Sequence, residues 1–132
     1  MAEPTGSSVI PGMHYRDAAA AIEWLCHVFG FEKHFIAAGE GNTIHHAELT
    51  LGGGMIMLGT RVGEPPFRSA RDTRGISLVV ADADAVYERA KANEAEIVVE
   101  IEDKPYGGRG FACRDMDGYL WHVGTYDPWQ PK

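Results

Sequence analysis

Long apolar runs are missing from this chain of 132 residues: no stretch approaches 18 apolar residues, so no membrane-spanning helix is expected. Basic charge is also scarce. Twelve Lys and Arg against nineteen Asp and Glu leave a net charge of −7. That balance argues against nucleic acid and anionic membranes as partners, because both need a basic face. Only two cysteines occur, Cys26 in a helical pattern and Cys113 in a strand pattern, with no CxxC spacing. They read as buried thiols rather than a disulfide, which suits a cytoplasmic protein. Residues 1–8 are small and polar and lack a basic n-region and an apolar h-region, so no signal peptide is expected. Nucleophile–base motifs and phosphate-cradling glycine loops are absent as well, and the glycines punctuate turns. What remains is apolar in character. A hydrophobic content of 45 % with three Trp excludes a disordered chain and gives a single domain of this length a sizeable core.

The second half repeats the first at a shift of 65 positions: Asp17-Ala18 recurs as Asp82-Ala83, Ala20 as Ala85 and Glu23 as Glu88. Ile36 recurs as Ile101, Ala47 as Ala112, Gly53 as Gly118, and Gly59-Thr60 as Gly124-Thr125. The matches need no gap and fall at helix starts, turns and strand ends. Two copies of one supersecondary unit are therefore expected, with a cleft between them that carries the function.

Local patterns give the order βαβββ twice. Ser8–Tyr15 reads as a first strand loosened by Pro11 and Gly12. Asp17 is an N-cap, and Ala18, Ala21, Ile22, Leu25, Val28 and Phe29 form an apolar stripe at helical spacing that Gly30 ends. Strands are expected over Phe31–Ala38, Thr43–Leu51 and Met55–Thr60, with turns at residues 39–42 and 52–54. In the second module Gly75–Val80 is a strand and Asp82 opens a helix to about Asn93. Strands Glu96–Ile101, Gly107–Arg114 and Tyr119–Thr125 follow, the last two joined by the turn Asp115-Met116-Asp117-Gly118. The expected architecture is α+β: two tandem βαβββ modules, about 8–60 and 75–126, forming a curved mixed sheet around a central cleft with helices outside. Residues 61–74, with Pro65-Pro66 and four arginines, read as the linker within a single 1–132 domain, and residues 126–132 as a surface tail.

Strand alternation assigns faces. Ala47, Leu49 and Leu51 point to the helix, leaving His46, Glu48 and Thr50 for the cleft. Ile56 and Leu58 pack inward and Met57 faces the cleft, and the same parity places Ile10, Gly12 and His14 there. The shift of 65 carries Met57 onto His122, between helix-facing Trp121 and Val123. It also carries His46 onto Phe111 and Glu48 onto Cys113. The expected ligand-binding set is His14, His46, Glu48, Met57, Phe111, Leu120 and His122, a mix of polar and apolar groups suited to a small organic molecule.

The βαβββ repeat, the run DAAAAIEWLCHVFGFE (Asp17 to Glu32) and the closing RDMDGYLWHVGTYDPW (Arg114 to Trp129) resemble the vicinal-oxygen-chelate superfamily. That superfamily includes glyoxalase I, bleomycin-resistance proteins, fosfomycin-resistance transferases and extradiol dioxygenases. IHHAELTLGGGMIMLG (Ile44 to Gly59) is similar to its glyoxalase-like branch. The resemblance implies a divalent metal held by His, Gln or Glu at four strand positions, which fall here on Ile10, Met57, Gly75 and His122. Only His122 is a ligand of the usual kind, and a catalytic site needs about three protein ligands with an open position.

Two functions follow from these readings. The first is a metal-free protein of the glyoxalase/bleomycin-resistance type that binds a partly apolar organic molecule and uses no cofactor. The alternative is a metal-dependent glyoxalase-like lyase or isomerase, or a dioxygenase. It would hold one divalent metal (Zn, Ni, Mn or Fe) at a noncanonical site of His122, His46 and Glu48, with Glu48 and His122 as catalytic candidates. A scaffold whose cleft is filled by its own side chains is a third, plainer reading. Arg109, beside Gly107-Gly108, reads as a surface arginine or an anion clamp, Asp115 and Asp117 as turn-closing residues, and His34 and His45 as surface or packing residues. Exposed sheet edges make a homodimer the expected assembly.

Overall fold

Ten elements appear in a computed structural model of the chain, which describes residues 6–62 and 75–130. Most of the 61–74 linker and the last two residues of the tail lie outside the described residues. The chain divides into two units, each one βαβββ module with its own four-stranded mixed sheet.

Module one contains β1 (Gly12–Tyr15), α1 (Ala18–Phe29), β2 (Glu32–Ala38), β3 (Ile44–Leu51) and β4 (Gly54–Thr60). Its strand order is β1-β4-β3-β2. β1 runs parallel to β4, and the other pairs are antiparallel. The expected first strand is shortened at its start. Proline has no N–H to give a ladder, and Pro11 contributes only its carbonyl, which accepts from the Met57 N–H at 2.9 Å. Ile10 therefore precedes the strand. α1 starts where the sequence indicates: Asp17 Oδ1 accepts from the Ala20 N–H at 3.0 Å. It ends at Gly30, whose φ of 89° gives the left-handed turn that an L side chain resists. The apolar stripe of α1 (Ala18, Ala21, Ile22, Leu25, Val28, Phe29) is buried with Met13, Tyr15, Ala47, Leu49, Ile56 and Leu58, and this is the core of the module.

Module two contains β5 (Gly75–Val79), α2 (Ala83–Ala92), β6 (Glu96–Asp103), β7 (Arg109–Arg114) and β8 (Leu120–Gly124), in sheet order β5-β8-β7-β6. Asp82 caps α2 as Asp17 caps α1, accepting from the Ala85 N–H at 3.1 Å. The core gathers Val86, Tyr87 and Ala90 of α2 against Phe111, Cys113, Trp121 and Val123.

One sequence expectation is overturned here. The repeat is not free of gaps. In module one Thr50 pairs with Met55, leaving four residues, 51–54, between them. In module two Arg114 pairs with Leu120, leaving five, 115–119. β8 keeps the shift of 65, but β7 slips to 64: Leu58 pairs with Ala47, whereas Val123 pairs with Phe111. Side chains alternate with a period of two, so one inserted residue turns the whole strand over. Phe111 and Cys113 consequently face α2. The Phe111 ring meets the Tyr87 ring edge-on, centroids 5.1 Å apart, and is 2 % exposed. The assignment of Phe111 to the ligand-facing side is corrected accordingly. The partner of His122 on the opposite face is Ala112.

Of the two free thiols Cys113 is buried and Cys26 only half-buried, which carries a prediction. Burial and the neighbouring Asp115 charge push the Cys113 thiol up to about 12, and burial also raises that of Cys26, opposed by Lys33. Thiolate is the reactive form. At pH 8, Ellman's reagent should label half-buried Cys26 slowly and Cys113 only after guanidinium unfolding. Two rapidly reacting thiols in the folded protein would contradict this packing.

Candidate functional site

The ligand candidates in module one lie on the sheet face turned away from α1. Ala47 and Leu49 are fully buried toward the helix, so the alternation of β3 sends His46 and Glu48 to the other side. Cross-strand pairing then fixes their neighbours. Glu48 sits between Met57 of β4 and Phe35 of β2, and Met57 pairs in turn with Gly12 of β1. His14, two residues after Gly12, shares that face and stands opposite Gly59. The centre of the face is a hydrogen-bonded couple: His46 Nε2 lies 2.9 Å from Glu48 Oε2. Beside it stands an aromatic group, with the Phe35 ring 6.3 Å from the His46 ring.

Two members of this group were not legible from the sequence. β2 has a register shift between Lys33 and Phe35, and such a bulge can send consecutive side chains to one face. His34 Nε2 accordingly lies 4.0 Å from Glu48 Oε1, and Phe35 flanks His46 while remaining 52 % exposed. No glycine or proline in Glu32–Ala38 marks the bulge, so alternation alone could not place either residue.

In module two, His122 and Leu120 occupy the corresponding face of β8, because Trp121 and Val123, which alternate with them, are buried toward α2. The turn that leads into this strand is closed by a carboxylate. Buried Asp115 accepts from the Asp117 N–H at 3.0 Å, the Tyr119 N–H at 3.1 Å and the Trp121 indole N–H at 3.0 Å. This is the turn-closing role expected of Asp115, extended to the core tryptophan.

Arg109 is held by carboxylates rather than offered to an anion. Asp84 accepts from its Nε and Nη2, both at 3.0 Å, and Asp103 from its Nη1 at 3.2 Å. Those bonds, Asp84 foremost, hold the guanidinium above its ordinary value and the Asp84 carboxyl below its own. The open depression of about 470 Å³ around them also contains Lys104, whose ammonium pairs with Glu102 at 2.8 Å. Both cations there are neutralised.

The residues present do not fit the metal that the resemblance implies. Ile10 has no donor atom and Met57 offers only a thioether, a ligand for softer metals. At Gly75 a Cβ would lie 2.9 Å from His122 Cδ2 and 3.0 Å from its Nε2. The imidazole therefore rests against the backbone where a second ligating side chain would have to start. Among the described residues, no group of three or more His, Cys, Asp or Glu side chains could hold a metal ion. None of the described helices is long and apolar enough to cross a membrane.

Comparison with known proteins agrees with this architecture. The model of the Glyoxalase/Bleomycin resistance protein/Dioxygenase superfamily matches residues 12–123. TioX from Micromonospora sp. ML1 is 36 % identical, with a TM-score of 0.69 over 90 % of this chain and 98 % of that one. The genomically encoded fosfomycin resistance protein FosX of Listeria monocytogenes, solved with Mn(II) and sulfate, gives a TM-score of 0.71 at 19 % identity, covering 96 % of this chain and 94 % of its own. That likeness shows a shared fold. An uncharacterized protein of Mycobacterium bovis is 28 % identical over 121 residues, 86 % of this chain and 80 % of the relative.

Proposed function

The chain belongs to the glyoxalase/bleomycin resistance protein/dioxygenase superfamily, and on that footing we propose that it binds a small, partly apolar organic molecule without using a metal ion. The observation that carries the reading is the combination on one sheet face of an ordered polar couple, His46 and Glu48, with the apolar groups Phe35 and Met57. A few directional groups among apolar ones is the usual make-up of a small-molecule site. His14 in module one, and His122 and Leu120 in module two, belong to the proposed ligand-facing set. The donor set at Ile10, Met57 and Gly75 supports the metal-free part of the proposal, since it leaves His122 without companions of the usual kind.

A thermal-shift screen of small aromatic and antibiotic-like compounds tests the reading. Compounds that bind the native state raise the melting temperature with the logarithm of ligand concentration over Kd. Hits are expected to move backbone NMR resonances of β3 and β4 around Glu48 and Met57. Hits that move only α1 and α2 would refute the assigned face. The homodimer belongs to the same proposal, supported by the outer positions of β2 and β6 in their sheets. Gel filtration at micromolar concentration should give twice the chain mass of 14.4 kDa, and a monomer would remove that part.

A further inference from the structure

The geometry points to a narrower ligand class for module one: molecules that carry an acidic O–H or N–H on an aromatic ring, received by the Nδ1 atom of His46. The inference rests on the small-molecule reading above and names the chemistry of its ligand.

The argument starts from proton placement. An ionised carboxylate can only accept hydrogen bonds. Glu48 Oε2 lies 2.9 Å from His46 Nε2, so Nε2 carries the proton. A neutral imidazole has one N–H, and Nδ1 is then left as an acceptor. Among the described residues no hydrogen bond reaches that nitrogen, and on the other side of the Glu48 carboxylate His34 Nε2 lies 4.0 Å from Oε1. Glu48 thus acts as a positioning residue. It sets the tautomer and the orientation of the ring, and the ring presents a lone pair.

The surroundings select what donates to it. The Phe35 ring stands 6.3 Å from the His46 ring at an interplanar angle of 48°, and Met57 is paired opposite Glu48. An aromatic face and a polarisable thioether favour a flat, apolar ligand body. Among the described residues no Lys or Arg is ion-paired to Glu48, so a carboxylate or phosphate would meet the Glu48 charge without a cation to offset it. A phenol, an enol on a ring or a heteroaromatic N–H meets every requirement: a donor for Nδ1 and a planar body for Phe35 and Met57.

The test uses the full-length protein with two matched pairs of probes, 2-naphthol with 2-methoxynaphthalene and indole with N-methylindole. Affinities come from NMR titration, and imidazole nitrogens are followed in long-range ¹H–¹⁵N spectra. The expected result is that the O–H and N–H forms bind about tenfold tighter than the methylated forms, the worth of one partly exposed hydrogen bond. They should also shift the His46 Nδ1 resonance. His46→Phe, at a partly exposed position that tolerates a ring, should keep binding the methylated probes while losing the preference. Glu48→Gln should weaken the preference by releasing the tautomer. Equal affinity within both pairs, or a preference that survives His46→Phe, would overturn the inference and leave the small-molecule reading standing. Absence of any shift with all four probes at millimolar concentration would count against both.

Discussion

Phe111→Ala is expected to be among the most destabilising single changes in this protein, costing about 3–5 kcal/mol, the usual range for emptying a buried phenylalanine site. The ring is 2 % exposed and packs edge-on against Tyr87 of α2, so truncation leaves a cavity between helix and sheet. With roughly 3–4 °C lost per kcal/mol for a chain of this size, the melting temperature should fall by about 10–20 °C. Phe111→Leu, which conserves most of the volume, should cost less than about 1.5 kcal/mol. Urea unfolding of the three proteins decides the matter. Had β7 kept the gapless repeat, Phe111 would face away from α2, and its truncation would cost little stability while altering ligand binding. Near-native stability in Phe111→Ala would therefore reinstate the uncorrected register.

Asp115→Ala is the second large effect. Its carboxylate satisfies two backbone N–H groups of the β7–β8 turn and the indole N–H of Trp121, a residue with no exposed surface. Removing the acceptor orphans all three donors. At about 1–3 kcal/mol for each buried donor left without a partner, a loss of roughly 3–5 kcal/mol is expected, since the turn can relax toward water but the indole cannot. Asp115→Asn separates the contributions. The amide keeps one oxygen for the turn but brings N–H groups toward another donor, so it should fall between wild type and alanine. Equal stability of Asp115→Asn and wild type would show that the indole bond contributes nothing.

Much of the fold is legible in the residues. Asp17 and Asp82 mark helix starts because a short carboxylate can reach the N–H groups of the first turn, and Gly30 marks an end because only glycine enters that backbone region cheaply. The placement of His46, Glu48, Met57, Leu120 and His122 opposite the helices followed from alternation along β3, β4 and β8. What escaped was counting. The identity between Ala47 and Ala112 supports a gapless repeat, yet the two alanines occupy opposite faces because Asp115-Met116-Asp117-Gly118-Tyr119 spans one residue more than Leu51-Gly52-Gly53-Gly54. A turn length is decided by which cross-strand hydrogen bonds close, and single-strand periodicity contains no record of that. His34 and Phe35 were missed for a related reason, since the shift in β2 arises from pairing with β3 rather than from a residue that signals a bulge. The couple between His46 and Glu48 was anticipated only as two residues on one face; its hydrogen bond emerged from the structure.

The central claim is that this member of the superfamily binds its ligand without a metal. Native mass spectrometry of the purified protein, alone and after incubation with Zn²⁺, Ni²⁺, Mn²⁺ and Fe²⁺ at micromolar concentration, tests it most directly. The account predicts masses of the metal-free chain or its dimer under every condition, with no metal adduct in His122→Ala either. One tightly held metal per chain, lost in His122→Ala, would contradict it and direct attention to lyase, isomerase or dioxygenase chemistry.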